Sequence, residues 1–366
     1  MTATTIRRWL HWTLSVPAVA VVLLAATWGR DPGPVLLVIE GVFLIGSVLA
    51  AVHHAEVVAH KVGEPYGSLV LAVAVTVIEV ALIVTLMLSG KGDTSTLARD
   101  TVFSAVMLTM NGIVGLSVLV GARRHHLVVF NAEGTGSALA TVVALAGLTL
   151  VLPRFTTSEP GPVFSASQLA FAAIASLALY GLFVFTQTVR HRDFFLPTTP
   201  DGDVLAEDQH AAPPTMAATM TSLVVLIAAL VAVVGLTKIE SPAIEAGVAA
   251  LGFPQSFVGV VIALLVLLPE SIAAVKAASR NRLQTSLNLA YGSAMASIGL
   301  TIPTIAIASI WIPGPLALGL EPVHMLLFGL SVVIALLTVI PGRAKTLQGW
   351  VHLVLLAAFL FLSVRP

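Results

Sequence analysis

Long apolar runs separated by short polar segments dominate the chain. A helix that crosses a bilayer needs about 20 mostly apolar residues, and eleven runs reach or approach this length. They are residues 12–29, 34–56, 67–89, 101–121, 137–152, 167–189, 217–236, 256–278, 286–310, 322–340 and 347–363. The pattern predicts an all-α polytopic membrane protein with eleven transmembrane helices.

One polar segment is much longer than the others and divides the chain. Residues 190–216 are rich in Pro, Asp and Glu, which predicts a flexible, acidic, cytoplasmic linker. It leaves a leading helix in residues 1–33 and a set of five helices on each side, in residues 34–189 and 217–366. Because five is odd, the second set enters the membrane in the opposite direction, and we therefore expect two inverted-topology repeats, arranged as 1 + 5 + 5 helices.

The composition supports the membrane assignment and excludes several classes of function. Hydrophobic residues make up 57% and charged residues 10% of the chain, and the mean hydropathy is +1.00, whereas soluble domains carry about 25% charged residues. A net charge of zero gives no support for nucleic-acid binding. The absence of cysteine excludes disulfides and thiolate metal sites. The basic N-terminus resembles a signal peptide, but without a clear cleavage site we interpret its apolar run as a retained helix.

The basic residues indicate an orientation. Twelve of the 18 Lys and Arg residues lie in the N-terminus and in the loops after even-numbered spans, and six lie in the other loops and the C-terminus. Since Lys and Arg concentrate on the cytoplasmic side, we expect a cell (inner) membrane protein with its N-terminus and linker inside and its C-terminus outside. Membrane lipid and inorganic cations are the expected partners. The sequence leaves open whether the protein forms a homo-oligomer.

Three acidic residues lie well inside the predicted spans, namely Glu40, Glu79 and Glu270. An acid at a helix centre costs roughly 2.5–3.5 kcal/mol to insert. Glu79 and Glu270 both fall in the second helix of their five-helix set, so the inversion predicts that their carboxylates converge at mid-depth, although either could be a structural hydrogen-bonding residue. Pro269 further predicts a helix break that frees carbonyls for an ion. Glu40 has no evident counterpart in the second set of helices. It is either a polar residue used in helix packing or a residue that lines an ion pathway.

A buried pair of carboxylates can exchange a metal ion for protons. The two charges repel unless a cation or protons neutralise them, so occupancy by one excludes the other. Calcium takes about six to eight oxygens, of which two carboxylates supply at most four. The following helices offer Ser104 with Asn111, and Ser293 with Ser297, each pair on one helical face. Such serines are also typical of close helix packing.

A second polar group closes the second span. In "VHHAEVVAHKVGEPYG", His53, Glu56 and His60 share a helical face, with His54 beside them and Glu64 just beyond. The spacing does not fit the His-Glu-x-x-His motif of zinc proteases. The alternatives are a transition-metal site, a plain interfacial helix end, or a cytoplasmic antechamber whose side chains titrate near neutral pH and feed or gate the ion path.

Three stretches carry a resemblance to a known family. They are "HHAEVVAHKVGEPYGSLVLAVAVTVIEVALI", "LLPESIAAVKAASRNRLQTSLNLAYGSAMASIGLTIP" and the acidic linker. Over essentially its whole length the chain resembles the bacterial ChaA-type calcium/proton antiporters, in the cation/proton exchanger branch of the calcium/cation antiporter superfamily. The resemblance implies a secondary transporter, not an enzyme, that exchanges Ca2+ for H+, allows transport of Na+ or K+ as well, and needs no cofactor. It implies that the ion binds at Glu79 and Glu270, and it maps the family's following helices onto Ser104 to Asn111 and Ser293 to Ser297.

The chain also departs from that family. The wider branch has a Gly-Asn pair before each acid, where this chain has Val75-Thr76 and Val266-Leu267, and a frequent Gln is replaced near Ala296. Fewer side-chain oxygens remain, so an antiporter of Na+ or K+ for H+ that uses the same acid pair is the alternative. An intramembrane hydrolase would need a nucleophile or metal constellation that is not apparent, and a non-transporting scaffold would tolerate loss of both acids. The linker fits either a solvated spacer or a weak calcium sensor.

Overall fold

The computed structural model describes residues 3–30, 32–63, 66–89, 94–197, 214–312 and 314–365. Within these residues the chain forms twelve α-helices and one two-stranded antiparallel ribbon. The helices are α1 (Ala3–Thr27), α2 (Pro34–Val62), α3 (Tyr66–Ser89), α4 (Leu97–Met107), α5 (Val114–His125), α6 (Ala132–Ala146), α7 (Ala166–Phe185), α8 (Met216–Ala250), α9 (Phe257–Ser279), α10 (Leu283–Ala308), α11 (Pro322–Val339) and α12 (Thr346–Val364). The strands are β1 (Val128–Val129) and β2 (Arg343–Ala344).

Three helices continue into π-helical turns. Leu108–Ile113 joins α4 to α5 without a break, Gly147–Val151 extends α6, and Thr186–Arg190 extends α7. Short 3-10 helices, Leu152–Arg154 and Arg192–Phe195, follow the last two. Single π-turns inside long helices frequently occur at functional sites.

The predicted fold class is confirmed. In the described residues, ten helical segments are long and apolar enough to cross a membrane, and a shorter apolar helix, Trp12–Thr27, precedes them. These eleven correspond in order to the eleven predicted spans. Helices are stable in the hydrocarbon core of a bilayer because each backbone N–H and C=O group forms its hydrogen bond within the same segment.

The largest error in a predicted boundary concerns the seventh span. The sequence predicted an end at residue 236, whereas α8 continues through Pro242 to Ala250. Lys238 and Glu240 therefore lie in a helix and not in a loop. The prediction failed because two charges and a proline within five residues look like a polar connection, although Glu240 is buried.

The helices group into two compact units, each of which contains helices from both five-helix sets. Unit 1 comprises residues 1–94 and 210–258, and unit 2 comprises residues 95–209 and 259–366.

In unit 1, α2 packs against α1, α3 and α8. The ring of His54, late in α2, lies 3.1 Å from the hydroxyl of Ser222, early in α8, whereas Glu40, early in α2, interacts electrostatically with Glu240, late in α8. The two helices are therefore antiparallel. Gly46 allows α1 to approach closely, because a Cβ there would lie 2.7 Å from Val16.

In unit 2, α10 packs against α4, α5, α6 and α7, and α12 packs against α5. Small residues permit these close approaches, as is common between membrane helices. A Cβ on Gly349 of α12 would lie 2.7 Å from the backbone nitrogen of Leu119 in α5. A Cβ on Gly259 would lie 2.8 Å from the backbone of Asp100, so α9 also lies directly against α4.

Candidate cation site

Glu79 is the predicted site residue in unit 1. It lies in the middle of α3, and only 3% of its surface is exposed. Thr76, one helical turn earlier on the same side of the helix, is also buried, and its hydroxyl has no hydrogen-bond partner. A carboxylate and a hydroxyl therefore share the buried face of α3.

Glu270 is the corresponding acid in unit 2, and it is half-buried in α9. The predicted helix break beside it is wrong, because α9 runs unbroken from Phe257 to Ser279 with Pro269 inside. A proline removes only one backbone donor, and a nearby hydroxyl can satisfy a carbonyl of the same turn. Pro269 therefore leaves one carbonyl, that of Leu265, without its backbone donor, while the hydroxyl of Ser271 adds a bond to the carbonyl of Leu267 at 2.7 Å.

Ser104 and Asn111 lie in one continuous helical segment of unit 2 and both are buried. The hydroxyl of Ser104 donates to the backbone carbonyl of Asp100 at 2.5 Å. Asn111 lies within the π-helical turn Leu108–Ile113, and its Nδ2 donates to the hydroxyl of Ser331 in α11 at 2.9 Å. A serine that donates its proton in this way keeps lone pairs on the oxygen.

Asn111 belongs to a buried polar network that the sequence reasoning missed. Its Oδ1 lies 3.3 Å from Nδ1 of His352 in α12, and Nε2 of that ring lies 3.1 Å from Thr338 Oγ1. Since an amide oxygen only accepts hydrogen bonds, Nδ1 of His352 is the donor. The available signal was a titratable residue inside the apolar run "GWVHLVLL".

Ser293 and Ser297 lie one turn apart in α10, which is continuous from Leu283 to Ala308. Ser297 is buried and Ser293 is half-buried. Together with Glu270, Ser104 and Asn111, they belong to unit 2, whereas Glu79 belongs to unit 1.

The polar group at the end of α2 is divided between buried and exposed positions. His54 is buried, and its two ring nitrogens lie 3.1 Å from Ser222 Oγ and 3.2 Å from the carbonyl of Thr13. His53 is half-buried, Glu56 and His60 are exposed, and Glu64 lies outside the described residues. In the described part of the chain no three His, Cys, Asp or Glu side chains converge on a metal position, so the transition-metal alternative gains no support here.

Two further acids, beyond the three that the sequence places well inside the spans, are buried in helices. Asp100 is buried near the start of α4, where Arg99 contacts its Oδ1 at 2.8 Å and Thr96 donates to its Oδ2 at 2.8 Å. Glu240 is buried in α8 beside Glu40. Asp100 was missed because it stands next to an arginine at a predicted span end, and Glu240 because α8 is longer than expected.

Comparisons with known proteins agree with this architecture. The sequence pattern of the family described as sodium/calcium exchanger protein matches residues 32–189 and 221–365. The chain is 43% identical to y4hA of Sinorhizobium fredii, which is described as an ionic transporter, over 97% of this chain and 96% of that protein. It is 34% identical to the sodium-potassium/proton antiporter ChaA of Escherichia coli, over 95% of this chain and 94% of that protein.

A solved structure shares the fold at low sequence identity. The H+/Ca2+ exchanger CAX superposes with a TM-score of 0.74 at 14% identity, over 98% of this chain and 89% of that chain.

Proposed function

Because the chain belongs to the sodium/calcium exchanger protein family, we propose that it is an antiporter that exchanges Ca2+ for H+ across the inner membrane by alternating access. The observation that carries the proposal is Glu79, a carboxylate buried in the middle of a membrane-spanning helix. Ionisable residues at such depth are costly and mark ion pathways.

The proposed transport site combines Glu79 with Glu270. Both stand in the second helix of their five-helix set, and inverted repeats bring equivalent helices to one ion site near the midplane. Two carboxylates balance one divalent ion, and protons balance them in its absence, which couples the two fluxes. Ser104, Asn111 and the α10 serines, Ser293 and Ser297, are the proposed sources of further oxygens.

The test is transport by the purified full-length protein in liposomes. An imposed proton gradient should drive 45Ca2+ uptake, and Glu79→Gln or Glu270→Gln should lower the rate by about two to four orders of magnitude, since unbalancing a buried charge costs about 3–5 kcal/mol. Glu159→Gln, at an exposed position, is the matched control and should transport normally. Normal uptake by either site variant would refute the proposal.

A second candidate is an antiporter of Na+ or K+ for H+ that uses the same acids. It is favoured by the 34% identity to a relative named as a sodium-potassium/proton antiporter, against 23% to a protein of Aphanothece halophytica named as a Ca2+/H+ antiporter. The short supply of side-chain oxygens points the same way, because Ca2+ needs about six to eight. The candidates are separated by measuring, at fixed pH, how Na+, K+ and Ca2+ compete for transport. Inhibition of 22Na+ uptake by K+ but not by Ca2+ favours the monovalent antiporter, and inhibition of 45Ca2+ uptake by neither monovalent ion favours the Ca2+ antiporter.

A further inference from the structure

Glu40 and Glu240 form a second pair of buried acids, within unit 1. Glu40 is 0% exposed and Glu240 is 7% exposed, and they stand on α2 and α8, which pack against each other along their length in antiparallel directions. Neither oxygen of Glu40 has a hydrogen-bond partner, and Oε1 of Glu240 also lacks one. Three carboxylate oxygens in one buried place are thus unsatisfied, which is unusual because buried polar groups are normally hydrogen-bonded.

Asp100 shows how this chain satisfies a structural buried acid. Its carboxylate has Arg99 against Oδ1 and the hydroxyl of Thr96 against Oδ2. Among the described residues, no such cation or hydroxyl bonds the three buried oxygens of Glu40 and Glu240, so a purely structural role does not account for them.

In the part of the chain that the structure describes, no cationic side chain balances the pair. Lys238 lies two residues before Glu240, on a different face of α8, and its ammonium sits 4.9 Å from the centre of the Trp28 ring. Among the described residues no salt bridge reaches either glutamate. Two adjacent buried carboxylates cannot both stay charged without a neutralising partner.

We propose that Glu40 and Glu240 bind one proton between them, as a proton site in addition to Glu79 and Glu270. The inference rests on the proposed function, in which protons are the second transported ion. The site takes a proton and not Ca2+, because two carboxylates supply at most four oxygens, whereas Ca2+ takes about six to eight.

The position of the pair assigns it to one membrane face. Glu40 precedes His54 by 14 residues along α2, which is about 21 Å of helix. The pair therefore lies near the end of the α2–α8 pair remote from His54, which is the outer end in the proposed orientation. Ser47 lies two turns after Glu40 on the same face of α2, and it is buried with an unpartnered hydroxyl. It places a second polar group on that face, closer to the cytoplasmic end of the helix.

The experiment measures exchange in liposomes while the pH on the outer side alone is varied. Glu40→Gln and Glu240→Gln should each displace the pH profile by about one unit, because each removes one of two interacting charges, and should leave the apparent cation affinity unchanged. Infrared difference spectra after a pH jump should show a protonated-carboxyl band in the wild-type protein that both variants lose.

Controls separate this inference from folding defects and from the proposed function. Glu245→Gln, the next acid in α8, should keep the wild-type profile, and Glu240→Asp should restore the carboxyl band where Glu240→Gln removes it. An unchanged profile and band in both Gln variants would overturn the proton site, as would a loss of 45Ca2+ or 22Na+ binding at fixed pH. Normal transport by Glu79→Gln would refute the proposed function, yet the infrared result would stand.

Discussion

Single buried acids in this chain differ in what neutralises them, and this difference predicts their mutational behaviour. Arg99 contacts Asp100 at 2.8 Å, and both side chains are almost fully buried. Arg99→Leu should destabilise the protein by about 3–5 kcal/mol, because it leaves a buried charge without a partner. The double variant Arg99→Leu/Asp100→Leu should recover most of this loss. Thermal unfolding in detergent measures both, and equal melting temperatures for the single and double variants would contradict the argument.

His352 is expected to act on transport through Asn111. Its Nδ1 donates toward Asn111 Oδ1, 3.3 Å away, and so fixes the amide that we propose as an ion ligand. His352→Phe should weaken apparent cation affinity by about tenfold, as is typical when a partner of a ligand is lost. His352→Gln should restore part of it, because its amide can also donate to Asn111.

The matched control for His352 is Ser363→Ala in the same helix. Ser363 is buried and donates only to the carbonyl of Phe359, 2.8 Å away, so its loss should leave cation affinity unchanged. A normal KM in His352→Phe would show that Asn111 needs no such support.

The interactions that could not be predicted from the sequence are mostly those between residues far apart along the chain. Periodicity identifies Glu79 and Asn111 as polar positions in apolar helices, but nothing local reveals that His352, 241 residues away, meets Asn111. Glu240 was hidden for the opposite reason, since its local neighbours look like a loop. The charge of Lys238 is accommodated by the ring of Trp28, a contact that hydropathy alone does not reveal.

At the scale of the helices, the hydrophobic pattern was a good guide because lipid permits few alternatives. The eleventh span was predicted at 347–363 and α12 runs from Thr346 to Val364. Pro269 misled the prediction, because a proline removes only one backbone donor and α9 continues through it. Element bounds thus follow from sequence, whereas local irregularities depend on neighbours.

Close helix packing gives a further prediction from two glycines. Gly349→Ala should destabilise the protein by about 1–3 kcal/mol, because the added methyl meets the α5 backbone at 2.7 Å and α12 must move. Gly329→Ala in α11, where nothing lies within 4 Å of a new Cβ, should be neutral or stabilising by up to about 1 kcal/mol. Detergent melting curves test the pair, and equal shifts would contradict the packing argument.

At the scale of the whole molecule, the resemblance and the fold class predicted from sequence are confirmed. The family pattern leaves residues 190–220 unmatched, near the predicted linker. The grouping in space did not follow from sequence, since unit 1 combines α2 and α3 from the first set with α8 from the second. Which helices pack together depends on side-chain contacts between repeats, such as His54 with Ser222, and hydropathy does not encode them.

The orientation can be tested directly because the chain contains no cysteine. Glu159→Cys in the loop after the fifth span and Asp193→Cys after the sixth introduce single thiols at exposed positions. The two-to-one bias of Lys and Arg places Asp193 inside and Glu159 outside. A membrane-impermeant maleimide should therefore label only Glu159→Cys in spheroplasts, and both variants after permeabilisation. The opposite pattern would invert the topology and move the Glu40–Glu240 pair to the cytoplasmic face, whereas labelling of both in sealed cells would mean that the number of spans between them is wrong.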